Sequence, residues 1–199
     1  MAYNIKLLNN HTIGKKNYFF DANIWLMILK PSIDLSDYQL KYLDFVQKFM
    51  KSANSPRIVV PALVLSEVIN RYLREVGMNK FAAKNKIKDL PKGYYKEVYR
   101  SSSQFKIDYK VLCDDIKVYD THYDLISDKF GIDFTSEDIL SDLPQGLDFN
   151  DYYYYLLAKK EGYSIVTDDV DFFVEGVEVL TYNSKLYKKG TDSIKPKFN

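Results

Sequence analysis

Cysteine and histidine are nearly absent from this chain, which has one cysteine and two histidines in 199 residues. Cys113 alone cannot close an intramolecular disulfide or supply a cysteine-based zinc site; that fits a reducing compartment, and its plainest role is that of a small buried hydrophobe. His11 and His122 stand in no recognisable motif, so neither a histidine acid/base pair nor a Ser-His-Asp triad is expected. Also missing is any apolar run near the roughly 18 residues of a membrane span, and residues 1–10 hold no continuous apolar core of signal-peptide length. A cytoplasmic protein without a membrane partner is therefore expected. Internal repeats and low-complexity linkers are lacking too. What is present, 46% hydrophobic and 28% charged residues, is enough for one domain over 1–199 with a respectable core.

The net charge of +1 conceals an uneven distribution. Between Arg71 and Lys110, eleven basic residues face only Glu75, Asp89, Glu97 and Asp108, whereas from Asp114 to Asp151 only Lys117 and Lys129 oppose many acids. Clustered cations lower the cost of approaching phosphates, which makes Arg71, Arg74, Lys80 and Lys84 candidate nucleic-acid contacts; a solvated helical face accounts for them equally well. Tyrosine, with 18 copies, recurs beside lysine at Lys92, Tyr94, Tyr95, Lys96 and Tyr99. Aromatics next to cations can stack on single-stranded nucleic acid, or simply pack.

Short β-rich runs alternate with helix-like segments, which predicts an α/β domain with a largely parallel sheet. Strands are predicted at 18–21, 58–60, 116–119 (weakly), 164–167 and 177–180. Helices are predicted at 23–29, stopping at Pro31; at 37–51; at 61–76, with Pro61 in the first turn and Gly77 closing it; at 121–130, capped by Asp120 or Thr121; as one turn at 136–140; and from Asn150 or Asp151 to Lys160, closed by Gly162. Residues 78–112 look helical and basic, an αα-hairpin insertion placed within 75–115, and the tail after Lys185 looks loosely held.

Ligands of open parallel α/β sheets bind at the carboxyl ends of the strands. Four acids fall there. Asp21 ends the first predicted strand, Glu67 lies in the second turn of the helix leaving the second, Asp151 opens the helix that precedes strand 164–167, and Asp169 follows that strand. Carboxylates that repel one another alone become favourable around a hard divalent ion, so Mg2+ or Mn2+ is the expected cofactor. Such an ion activates water and stabilises a phosphodiester undergoing displacement, with no protein nucleophile required. Each acid also has a plainer role: Asp21, Asp148 and Asp151 as helix caps, Glu67 as helix surface, and Asp168, Asp169 and Asp171 as an acidic turn with Asp168 solvated.

Three stretches, FFDANIW, PALVLSEV and DYYYYLLAKKEGYSIVTDDVDFF, together resemble the PIN-domain nucleases. The last is the most specific: an acid opening an alanine-containing helix, a glycine, an apolar strand, and the turn from Thr167 to Phe172. The resemblance implies a three-layer α/β/α fold on a four- or five-stranded, mainly parallel sheet, and Mg2+- or Mn2+-dependent cleavage of RNA, with single-stranded DNA as the other substrate. It assigns metal-binding and catalytic roles to Asp21, Glu67, Asp151 and Asp169, with Asn23, Thr167 and Asp171 as accessory residues. It further implies an antitoxin protein partner, as in VapC-like toxins, and a homodimer. Residues 75–115 and 130–147 depart from the compact members of the family. Two other phosphate-handling classes fit less well: a dehalogenase-type phosphatase wants a carboxylate where Asn23 stands, and a receiver domain wants an acidic pair and a later lysine that are not placed here. A catalytically silent PIN-like module that binds RNA or protein is the alternative from a different class, and the presence of all four acids weighs against it.

Overall fold

A computed structural model of the chain describes residues 3–127, 133–140 and 146–194. Within them, six parallel strands form one sheet, β1 (Asn4–Leu7), β2 (Asn17–Phe20), β3 (Arg57–Pro61), β4 (Tyr123–Ile126), β5 (Ser164–Val166) and β6 (Glu178–Thr181), in the order β1-β6-β5-β2-β3-β4. The interior strands β2, β3 and β5 are buried on both faces, which is why they read as unbroken apolar runs. The chain leaves β2 toward β3 and β4 on one side and continues from β5 to β6 on the other. The topological switch point therefore lies between β2 and β5, the position at which such sheets bind ligands.

Helices α1 (Ala22–Leu29), α2 (Asp37–Met50), α3 (Ala62–Tyr72), α5 (Ser103–Lys117) and α7 (Phe149–Glu161) flank the sheet, with the shorter α4 (Met78–Lys84) and α6 (Ser136–Ile139) between them. Sequence signals account for several boundaries. Ser36 and Gln39 cap α2 reciprocally, and α7 ends at Gly162 in the left-handed conformation, φ 71°. Beneath them, Phe19, Phe20, Ile58, Tyr153, Tyr154 and Phe172 are fully buried, so much of the tyrosine content is core. Among the described residues no helix is long and apolar enough to cross a membrane.

Six expectations are corrected. The weak strand at 116–119 is the end of α5, where Ile116 faces the core one turn after Leu112. The helix predicted at 121–130 is instead strand β4 in its described part; as an edge strand with Asp124 and Leu125 exposed it lacks an apolar run. β1, an edge strand on the other side, raises the sheet to six strands. The tail forms α8 (Ser184–Ile194) against β1, with Leu186 fully buried and Gly190 so close to Ile5 that a Cβ would stand 3.0 Å from its side chain. Finally, Pro61 ends β3 as the N-cap of α3, and Gly77 closes nothing: the helix continues through a π-helical turn, Leu73–Gly77, into α4.

Gly77 is there for space. A Cβ on it would collide with the hydroxyl of Tyr99, a fully buried side chain that donates to Asp108 Oδ2 at 2.7 Å and so fixes α5 against this helix. Helix propensity alone would make Gly77→Ala stabilising by about 1 kcal/mol. Overpacking against an anchored ring costs about 1–3 kcal/mol, so a net loss of stability is expected, read as a lower urea midpoint. An unchanged or higher midpoint would show that Tyr99 yields freely.

Candidate active site

The carboxyl edge of β2 and β5 gathers the acids. Phe20 pairs with Val166, and the next residues, Asp21 and Thr167, lie side by side; the Asp21 amide donates to Val166 O at 3.0 Å and so extends the ladder. Asp21 is only 4% exposed. It occupies the N-cap position of α1, yet its side chain makes no capping bond there. Instead Thr167 Oγ1 donates to Asp21 Oδ2 at 2.8 Å and Asn23 Nδ2 donates to the same oxygen at 3.1 Å. Thr167 Oγ1 in turn accepts the Asp169 amide at 2.9 Å, and Asp169 Oδ1 accepts the Asp171 amide at 2.9 Å. Thus Asn23, Thr167 and the Asp171 backbone orient the acids beside them.

Asp151 is freed by its neighbour. The cap of α7 is Asp148, whose Oδ1 accepts the Asp151 amide at 3.0 Å, not Asn150 or Asp151 as two of the sequence alternatives had it. Glu67 approaches from α3 and is held by Tyr154 and Asn150 of α7, at 3.3 and 3.4 Å on Oε2, and by Arg71 at 3.5 Å on Oε1. Arg71 Nη1 also donates to Asn23 Oδ1 at 3.1 Å, and its Nε to Glu75 Oε1 at 3.1 Å. Arg71 therefore belongs to this site. Its spacing of four from Glu67 was the available signal, since residues so placed share a helix face. Tyr154, three residues after Asp151 on α7, was hidden in a run of four tyrosines. The solvated role expected for Asp168 is corrected: it accepts the Tyr42 hydroxyl at 2.9 Å and that of Tyr38, which tie the acidic turn to α2.

The electrostatics show how unfavourable this gathering is. Burial pushes Asp21 up to about 6, the charges of Glu67 and Asp169 add to the rise, and the Thr167 hydrogen bond opposes it. Asp151 is pushed up to about 8, first by burial and then by Asp148, Asp21, Asp169 and Glu67, every one of them negative. Tyr154 is raised by burial and by the same acids. Arg71, whose burial works against its charge, is kept ionised by Glu75 and Glu67. Beside the acids, a cleft is lined by Asn23, Lys30, Gln39, Arg71, Asp169 and Asn183.

Among the described residues no three His, Cys, Asp or Glu side chains converge on one point as a ready ligand set. The fit of a divalent ion rests on the donors: a buried carboxylate whose nearest charges are carboxylates lacks a cation, and all-oxygen donors are what Mg2+ and Mn2+ take. Of the remaining predicted contacts, Arg74 lies over the Tyr95 ring, 5.2 Å from its centroid, outside this cleft, while Lys80 and Lys84 are exposed on α4. Cys113 is half-buried on α5.

The family described as PIN domain matches residues 18–177 of this chain. A solved structure of VapBC2 from Rickettsia felis, bound to a DNA fragment from their promoter, is similar over 83% of this chain and 98% of that chain, with 12% sequence identity and a TM-score of 0.43. No curated protein matches the chain.

Proposed function

This chain belongs to the PIN-domain family, and from that premise we propose that it is a divalent-metal-dependent nuclease, an endoribonuclease of the cytoplasm that uses Mg2+ or Mn2+. The observation that carries the reading is the juxtaposition of Asp21, Asp151, Asp169 and Glu67 at the switch point, where Glu67 and Asp169 raise the proton affinity of Asp21, and all three raise that of Asp151. A bound ion would supply an activated water and charge stabilisation at a phosphodiester. Asp21 and Asp169 are the principal ligands in this proposal, Asp151 completes the shell or holds a second ion, and Glu67 ligates directly or through water. Thr167 and Asn23 fix the Asp21 carboxylate, the Asp171 amide fixes Asp169, and Tyr154, Asn150 and Arg71 fix Glu67.

Arg71, together with Arg74, Lys80 and Lys84, is assigned to nucleic-acid backbone contacts. With RNA as substrate and single-stranded DNA as the other, the finer biology proposed is that of a toxin with an antitoxin protein partner, acting as a homodimer. The basic helical segment over 75–115 is proposed to be an insertion in a single domain over 1–199. The second reading is a catalytically silent module that binds RNA.

Purified protein incubated with varied RNAs and single-stranded DNA is expected to cleave with Mn2+ or Mg2+ and to stop on chelation. Mn2+ binding by calorimetry should be lost in Asp21→Asn. Absence of both cleavage and metal binding would overturn the enzyme, and RNA binding retained in that sample would establish the silent module instead.

A further inference from the structure

A second concavity lies apart from the carboxylate cleft, in the helical segment between α3 and α5, where Arg74, Lys92, Tyr94, Tyr95, Lys96 and Glu97 are among its walls. Elsewhere the chain pairs many of its cations: Lys6 and Lys16 with Glu178, Arg57 with Asp124, Arg71 with Glu67 and Glu75, Lys160 with Asp133. Among the described residues Arg74, Lys92 and Lys96 stand in no ion pair, although they share one groove. Three cations against the single carboxylate of Glu97 leave the groove net positive, and an anion seated among them relieves that excess.

Three further observations point to a ligand. The Arg74 guanidinium lies 5.2 Å from the centroid of the half-buried Tyr95 ring, so a flat cationic surface is already assembled. Tyr94, 4% exposed, lines the same groove, and its buried hydroxyl has no hydrogen-bond partner among the described residues. Both walls are π-helical turns, Leu73–Gly77 with Arg74 and Tyr95–Tyr99 with Lys96, and such departures from α-helix concentrate at functional sites. Between Lys92 and Tyr94, Gly93 at φ +86° leaves room for the Glu97 carboxylate to fold back: a Cβ there would stand 2.6 Å from Glu97 Oε1.

Arg74 follows Arg71 by three residues, one turn along the same helical rod, and Arg71 lines the carboxylate cleft. A strand that ran from that cleft along this helix past Arg71 would reach Arg74 one turn on. We propose that this groove binds the nucleotides of a single-stranded nucleic acid that flank the segment lying in the carboxylate cleft, with Lys92 and Lys96 on phosphates and the Arg74–Tyr95 pair as the platform for a base. What the proposal says of the cleft rests on the nuclease reading; binding in the groove does not. A stacking platform favours a single strand, because a duplex keeps its base faces covered and an acidic peptide has none.

The test uses the full chain carrying Asp21→Asn, in EDTA, with a fluorescein-labelled oligouridylate RNA of about 12 nucleotides as the anisotropy probe. Arg74→Ala/Lys92→Ala/Lys96→Ala is expected to weaken binding at least thirtyfold, roughly, and to flatten the slope of log affinity against log salt by about 1.4, as removal of the two phosphate contacts of Lys92 and Lys96 from a single strand requires. Tyr95→Ala should weaken binding about tenfold and leave the salt slope unchanged, because stacking releases no counter-ions. The charge-matched control Arg100→Ala/Lys106→Ala/Lys110→Ala should stay within about twofold of the parent. Circular dichroism melts confirm that each variant folds. The proposal is overturned if the parent binds no single strand, if the control loses as much affinity as the groove variant, if an RNA duplex binds as tightly, or if an acidic peptide displaces the probe at lower concentration than unlabelled oligouridylate. Loss of cleavage activity in the wild-type chain with groove binding intact would sink the nuclease reading and leave this one standing.

Discussion

Asp21→Asn is expected to abolish divalent-dependent cleavage, by about a thousandfold or more, and at the same time to make the metal-free protein more stable. Removing a carboxylate ligand that supplies about 4 kcal/mol of transition-state stabilisation produces a loss of that size. The gain in stability comes from the same carboxylate. Asp21 is fully buried and its pKa rises from 3.8 to about 6, a difference worth about 3 kcal/mol of destabilisation once the group ionises. Its folded pKa lies above its unfolded value, so its stabilising contribution is complete below pH 3.8 and is lost as pH rises through about 6. Asparagine keeps an oxygen for the Thr167 hydroxyl without the charge. Urea unfolding in EDTA should therefore show wild type losing stability from about pH 4, the Asp21 share by about pH 6 and the Asp151 share on to about pH 8, with a smaller loss in Asp21→Asn and a gain of about 1–3 kcal/mol at pH 7.5. Glu178, held down to about 2 by Lys16, Lys6 and Ser164 although burial works against it, acts in the opposite sense and only at more acid pH, so it does not mask the effect. A variant that keeps full activity would remove Asp21 from the chemistry; one that is inactive but less stable at neutral pH would show that its charge is compensated within the protein.

The second large effect concerns the metal. Asp151, pushed up to about 8, is mainly protonated at pH 7, and Asp21 is partly protonated near pH 6. A cation ligated by these groups must expel their protons. Mn2+ affinity is therefore expected to strengthen by about a hundredfold between pH 6 and pH 8 and to level off above that range. Calorimetry at pH 7 in two buffers of different ionisation enthalpy should register about one proton released per ion, and Asp151→Asn should remove that release along with most of the affinity. An affinity that is flat from pH 6 to pH 8, or binding without proton release, would mean that the ion sits away from Asp151.

How far these residues could be read from the sequence depended on how many neighbours each needs. β2, β3 and β5 were legible because burial on both faces leaves only apolar choices. β1 and β4 were not: at the edges one row of residues meets solvent, as Asp124 and Leu125 do, and four-residue strands of mixed polarity resemble loop. The end of Gly162 was legible from local chemistry, whereas Gly77 looked like a helix stop and is a contact point for a ring more than twenty positions away in sequence. α8 has Leu186 fully buried only because β1, at the other end of the chain, is there to receive it.

The candidate site divides in the same way. By itself the sequence determined which acids fall at the carboxyl ends of strands, because strand ends and helix starts leave local marks: Asp21 after an apolar run, Asp169 after another, Asp151 at the start of the helix between. It also placed Asn23 and Thr167 beside them. Only the tertiary structure decided that Asp148 caps α7 and frees Asp151, that Asp168 belongs to Tyr42, that Arg71 reaches Glu67 and Asn23, and that Arg74 meets Tyr95. A carboxylate can serve as cap, acceptor or ligand with equal chemistry, and what selects among these is the set of donors and charges that folding brings within about 3 Å of it.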